Sequence, residues 1–422
     1  MFQAARAVFS LLLSYGLLLM ANGLFGTLLG VRAMIEGFSS QITGVIMSGH
    51  FLGLFIGGML AIRVVASVGH IRAFAAFASV MSVAALGHIL IVDPIAWFAL
   101  RVATGFCMAG MIMVTESWLN ERSDTSIRGQ VLALYMITNY LGSGLGQFLL
   151  PLSDPAQFQL FCVASIIYSV ALVPVLLTSA AAPQPAQRVR ASFTDLWRTS
   201  PLGLIGACSA GLTNASFFSL GAVYAQRIGF DLQGTSLFMG AVIFGGLLLQ
   251  WPVGRLSDRI DRRWVLVGVG LIASAAATGL VFAGSGSLVY VAAVIYGGVS
   301  FTVYSVCAAH TNDFADPDKR VQTASGLLIA YSVGAVIGPI LVGFLMGHFA
   351  ARALFIYIAC VQGFLGLFAL YRMTRRKTPA VEDRTGVINL PGGAYTAGEL
   401  YNGIGEDAGN GERDERAGNR PA

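Results

Sequence analysis

Twelve runs of about 20 apolar residues, each long enough to cross a bilayer core as a helix, all but dictate a polytopic membrane protein. They lie near residues 8–31, 40–62, 73–92, 95–117, 128–150 and 158–178, then near 201–226, 235–253, 264–283, 288–311, 321–346 and 352–371. Six runs, a break and six more predict an all-α fold of twelve transmembrane helices in two pseudo-symmetric six-helix bundles. The first bundle is expected over 1–178, a cytoplasmic linker over 179–200, the second bundle over 201–372 and a tail over 373–422. Composition agrees: 11% of residues are charged, against about a quarter in a soluble domain. The first run, Val8 to Val31, is too long for a signal-peptide core and is read as a retained helix. The linker begins Pro/Ala-rich and turns basic and amphipathic. The tail is too poor in apolar residues to build a core and is expected to be disordered.

Charge gives the orientation. With both termini on one side and the loops assigned alternately, that side holds 22 of the 26 Lys and Arg residues. The other side holds three (Arg32, Arg227 and Arg352), and Arg101 lies within a span. The positive-inside rule then places both termini in the cytoplasm, and the expected location is the bacterial inner membrane. The sequence pI of about 9.0 therefore records topology, and no nucleic-acid partner is expected. The five cysteines (Cys107, Cys162, Cys208, Cys307 and Cys360) all fall inside apolar runs without a CxxC pair, so neither a disulfide nor a metal site is expected. There is no GxxxxGK[ST] loop, HExxH or GxSxG in the chain. Direct use of ATP, enzymatic activity and a cofactor are not expected. The expected partners are the lipid bilayer, a small-molecule substrate and protons, and the expected state is a monomer.

The two halves repeat at a constant offset of 192 residues. Asp124, Arg128 and Gln130 fall on Asp316, Arg320 and Gln322, Gly142 and Gly146 fall on Gly334 and Gly338, and Asn22 falls on Asn214. Charge, amide and glycine held in one register across a span mark a true internal repeat.

The link "GRLSDRIDRR" (254–263) packs six charged residues between two apolar runs. It resembles the signature loop of the major facilitator superfamily, a glycine and an Asp-Arg pair followed by a basic cluster, here Gly254, Asp258, Arg259, Arg262 and Arg263. The first-half counterpart, "GMLAIRVVASVGHIR" (58–72), keeps Gly58, Gly69 and Arg72 but has no acid. "RVATG" (101–105) is similar to the family's Arg-x-x-x-Gly pattern, and "ESWL…RGQVLALYM" (116–136) looks like a bacterial branch whose substrates are poorly assigned. The resemblance covers roughly residues 8 to 372. It implies a secondary transporter in which two helix bundles rock about a midplane site. It also implies that Asp258 latches the cytoplasmic end by facing a helix N-terminus, worth about 0.3–1 kcal/mol; by pseudo-symmetry this is the start of helix five at Arg128-Gly129. A plain topogenic stop would account for the arginines but not for the acids among them. In the family's terms the solute is small and organic and the energy source is the proton gradient. An uncoupled facilitator and a transporter-like sensor or scaffold are the alternatives.

The candidate cavity residues are polar groups inside the runs. Arg101 is the one basic residue within a span, at a cost of about 2.5–3.5 kcal/mol on insertion scales. It is read either as a structural arginine bonded to carbonyls or as a group that orders substrate or affects proton transfer. Glu116 lies 60° beyond whole turns from Arg101 on the same helix and about 22 Å along it. It is read first as a cap of the gate beside Arg122 or Arg128, and second as a proton-carrying group. Asn22 and Asn214 occupy equivalent places in helices one and seven and either line the cavity or bond helix to helix. Tyr135 and Asn139 share one face of helix five with Gly142 and Gly146. Gln250, Tyr304 and Tyr331 complete the set, while His50, His88 and His310 are read as structural. Amides, aromatics and one arginine suit a neutral, amphiphilic or anionic solute better than a polycation.

Overall fold

The computed structural model describes residues 2–121, 127–177, 193–284, 286–316 and 319–375, with the side chains of 2–7, 193 and 321 outside the description. In the first half the helices are α1 (Phe2–Ile35), α2 (Ser40–Val68), α3 (His70–Leu90), α4 (Pro94–Glu121), α5 (Arg128–Gln147), α6 (Gln159–Val170) and α7 (Val173–Leu176). A short 3₁₀ turn, Leu150–Leu152, separates α5 from α6. The second half holds α8 (Phe193–Thr199), α9 (Pro201–Arg227), α10 (Leu232–Arg259), α11 (Arg262–Phe282), α12 (Leu288–Ser300), α13 (Val303–Asn312), α14 (Arg320–His348) and α15 (Ala353–Met373). Among the described residues, 11 helical stretches are long and apolar enough to cross a membrane. In this count α6 with α7, and α12 with α13, each form one stretch. α5 takes the twelfth place; Arg128, Gln130, Asn139 and Gln147 dilute its hydropathy.

Short local signals punctuate the helices. Ser39, Ser200 and Asp231 cap the starts of α2, α9 and α10 by accepting backbone N–H bonds. The sequence "GRLSDRIDRR" is mostly helix. Gly254 to Arg259 finish α10, the link is only Ile260 and Asp261, and the Asp261 carboxylate caps α11 by accepting from the Arg263 N–H at 3.0 Å. The equivalent link in the first half is one residue, Gly69, at φ 86°, a conformation that glycine adopts without strain.

The register of 192 carries into the packing. Ideal Cβ atoms on Gly142 and Gly146 would strike the backbone of α1 at Gly16 and Met20, and those on Gly334 and Gly338 would strike α9 at Cys208 and Leu212. Likewise Gly53 and Gly105 close on the carbonyls of Val102 and His50, and Gly245 and Gly297 close on those of Val294 and Val242. Every contact in the second half is its first-half partner plus 192. Two copies of one helix arrangement thus pack backbone to backbone through the same glycines.

The bundles approach one another at one end. Gly44 of α2 abuts Pro339 and Gly343 of α14, Phe148 stacks on Phe244 at 6.2 Å, and Gly30 of α1 packs on Val223 and Ala222 of α9. The Ser236 hydroxyl donates across the divide to the Gln147 carbonyl at 2.7 Å. This end is opposite the arginine-rich α10–α11 link, so the described contacts close the molecule away from "GRLSDRIDRR".

Candidate functional site

A cavity of about 210 Å³ lies between the bundles. Of the expected residues, Asn22, Arg101, Tyr135, Asn139, Asn214 and Tyr331 line it. Glu116, Gln250 and Tyr304 do not. Each of these three stands one side chain behind a residue that does.

Glu116 connects to the cavity through a hydrogen-bonded chain. The carboxylate is buried at 2% exposure, and its Oε1 accepts from the Tyr135 hydroxyl at 2.7 Å. Tyr135 accepts from the Tyr15 hydroxyl at 3.1 Å, and Tyr15 accepts from the Asn139 amide at 2.7 Å. The two phenol rings stack with centroids 4.8 Å apart and planes at 22°. Three of the four members line the cavity, so a carboxylate outside it has hydroxyl steps leading in. Each donor points toward the acid, so the Glu116 carboxylate is the terminal acceptor of the chain.

Gln250 stands behind Tyr140, whose hydroxyl donates to its Oε1 at 3.2 Å, and its amide donates to Ser305 at 3.1 Å. Tyr304 meets Tyr331 edge to face at 5.3 Å. In the second bundle, Gln362 donates to Thr213 and to Ser300, both at 3.1 Å, and Ser300 donates to Asn214 Oδ1 at 3.4 Å. Asn214 is therefore oriented by its neighbours. Asn22 lines the cavity half-buried. Gln147 is a clasp: Thr27 donates to it at 2.6 Å and its amide donates to the Gly23 carbonyl at 3.1 Å, tying α5 to α1.

Arg101 projects into the cavity from α4 at 3% exposure, and its Nε and Nη1 have no hydrogen-bond partner. His50, from α2, lines the same space at 5% exposure with an unpartnered Nδ1. Phe51, Tyr140, Phe218 and Phe301 add aromatic walls. The sequence reading missed Tyr15 as a site residue and treated His50 as structural. A tyrosine in "LLLSYGLLL" carries no signal of its own, because its partners are 120 and more residues away.

At the arginine-rich end, Asp258 is exposed, with 44% of its side chain accessible, and pairs with Arg262 at 3.5 Å. The tighter partner of Arg262 is Asp313 of the α13–α14 connection, at 2.8 Å with both side chains buried. Arg263 pairs with Asp261 at 2.7 Å. Arg72 and Arg259 are exposed, Arg128 and Gly58 are half-buried, and Gly254 is buried inside α10. The close glycine of α2 is Gly57, which packs on Phe106 and Ala109. Arg122 and Asp124 lie outside the described residues.

Two six-helix bundles of one repeat, closed at one end over a polar cavity, define a polytopic membrane protein built around a site between its halves. The sequence matches the Major Facilitator Superfamily over residues 11–251 and 235–396, and the chain belongs to that family of transport proteins. It is 28% identical over 384 residues to the uncharacterized MFS-type transporter YcaD of Escherichia fergusonii, covering 89% of this chain and 98% of that one. A YcaD of Escherichia coli O45:K1 is also 28% identical, over 372 residues, covering 87% and 96%. Among solved structures, the nucleoside transporter NupG superposes with a TM-score of 0.73 at 14% identity, covering 88% of this chain and all of that one. A bacterial homologue of the human lysosomal transporter Spinster, inward-facing and occupied, superposes with a TM-score of 0.71 at 15% identity, covering 89% and 99%.

Proposed function

We propose that this transport protein carries a small organic solute across the bacterial inner membrane by alternating access, with the movement of solute coupled to protons. The observation that carries the coupling is the chain from Glu116 through Tyr135 and Tyr15 to Asn139. Glu116 is the proton-carrying group in this reading. The tyrosines pass the proton between the carboxylate and the cavity, where binding of solute can bias it. The repeat supports a dedicated role: at an offset of 192, Glu116, Tyr15 and Tyr135 fall on Ala308, Ala207 and Leu327. The second bundle builds the same helix contacts without any of these polar groups.

In this reading both termini and the α10–α11 link face the cytoplasm, which the distribution of arginine supports. The closed end is then the outer one and the conformation is open inward. Asp258, exposed here, engages the first turn of α5 when the cytoplasmic end closes, weighting one state of the two-state equilibrium.

The test has two stages. A thermal-shift screen of purified protein against a solute library identifies the substrate, since a ligand that binds the folded state raises apparent stability. Proteoliposomes carrying a pH-sensitive dye then report protons that accompany substrate flux. Proton movement in the wild type, lost in Glu116→Gln and slowed about tenfold or more in Tyr135→Phe, supports coupling. Substrate flux with no proton movement makes the protein a facilitator. Binding without flux makes it a sensor.

A further inference from the structure

We propose that the cavity binds an amphiphilic organic monoanion, whose charge is held by Arg101 with His50 as a second donor. This rests on the transporter reading above and names its substrate class. Arg101 is the one formally charged side chain among the residues that line the cavity. It is 3% exposed, and two of its three guanidinium nitrogens have no partner. No acid among the described residues forms an ion pair with it, and Glu116 lies about 22 Å further along the same helix. A buried cation with donors unsatisfied is costly, and buried polar groups are normally paired. The protein leaves this one unpaired at the wall of a cavity, where a bound anion would supply both the charge and the acceptors.

His50 strengthens the assignment. Gly105 of α4 closes on the His50 carbonyl of α2 while Gly53 of α2 closes on the Val102 carbonyl of α4, so the two helices touch backbone to backbone beside Arg101. The His50 ring is presented to the same cavity with its Nδ1 free of any partner. The second bundle shows that this helix crossing does not require either side chain. At the equivalent crossing, Gly297 closes on Val242 and Gly245 on Val294, and the residues standing for His50 and Arg101 are Val242 and Ala293. The cation and the imidazole are additions to a packing that works without them.

The rest of the lining describes the body of the ligand. Phe218 and Phe301 stack at 5.4 Å and 13°, and Tyr140 stacks on Phe301 at 6.3 Å and 21°, giving a flat apolar wall suited to an aryl or alkyl group. One cation in a cavity that also has an aromatic wall fits a single carboxylate-like charge, and it repels an organic cation.

The experiment uses the purified full-length protein in detergent and matched acid and amide probes: benzoate against benzamide, indole-3-acetate against indole-3-acetamide, and octanoate against octanamide. Melting shifts and calorimetric titrations are read for each pair, with benzylamine as the cation and sodium chloride as the inorganic anion. The expected result is that at least one acid binds about tenfold or more tightly than its amide, with benzylamine weaker still. Arg101→Gln is expected to erase that preference, and Arg101→Lys to restore part of it. Equal binding of acids and amides across all pairs overturns the proposal. So does a wild-type preference in Arg101→Gln, or a chloride response as large as that to the acids. If Arg101→Gln does not fold, the acid–amide comparison in the wild type decides alone. Because these are equilibrium measurements, they separate the two readings. Anion binding without flux refutes transport and leaves this inference standing, whereas proton-coupled flux of a neutral solute or an amine does the reverse.

Discussion

At the scale of single residues, the two ends of the molecule are held by different chemistry. A deeply buried ion pair joins Arg262, 2% exposed, to Asp313 at 2.8 Å. Removing one partner of a buried pair leaves a charge uncompensated, so Asp313→Asn is expected to lower stability on the order of 3 kcal/mol. Thermal unfolding in detergent measures it, with Lys319→Gln as a control, since Lys319 pairs with Asp316 in the open at 3.5 Å and exposed pairs contribute about 1 kcal/mol or less. Sequence reasoning found Arg262 within a basic cluster but could not see Asp313, because an acid 51 residues away at the end of a span has no spacing signal. The same limit hid Tyr15. By contrast Asn22, Arg101 and Asn214 were legible, because polar groups at mid-span are expensive wherever they face lipid.

At the scale of elements, helix packing depends on glycines whose absent side chains admit a neighbouring backbone. Gly105→Ala would drive a methyl into the His50 carbonyl, and is expected to cost about 1–3 kcal/mol as the helices are pushed apart. Gly268→Ala, within α11, meets no atom within 4 Å and is expected to stay within about 0.5 kcal/mol of the wild type. Melting temperatures of the two variants check the contrast. The elements themselves were well marked in the sequence by runs of membrane length. What the runs did not mark were interruptions inside them. The sixth span breaks between α6 and α7, the tenth between α12 and α13, and α5 gives way to the Leu150–Leu152 turn. These breaks fall within apolar sequence that reads as continuous, so hydropathy alone cannot place them.

At the scale of the whole molecule, the bundles meet where α1 and α9, α2 and α14, and α5 and α10 converge. A Cβ on Gly30 would stand 4.0 Å from that of Ala222, inside the 3.5–4.5 Å range of a disulfide. The double variant Gly30→Cys/Ala222→Cys is therefore expected to lose substrate flux on oxidation and regain it on reduction, whereas either single variant ignores the oxidant. At the opposite end, Asp258→Asn is expected to shift the balance toward the inward-open state and slow flux roughly two- to fivefold. Labelling of a cysteine placed at Arg259 reports that shift, and unchanged labelling with unchanged flux removes the latch. The whole-molecule arrangement was readable in outline because the 192-residue register repeats glycines and amides together.

The chain of Glu116, Tyr135, Tyr15 and Asn139 draws all its members from α1, α4 and α5. No link in it crosses from one bundle to the other. Were the halves to rock, such a chain would travel with the half that owns it, its internal spacing untouched by the stroke. What would change is the compartment its cavity mouth faces, and a bound solute would face that compartment at the same moment. A proton on this path would need no separate gate, because a single clock would set the timing of both passengers.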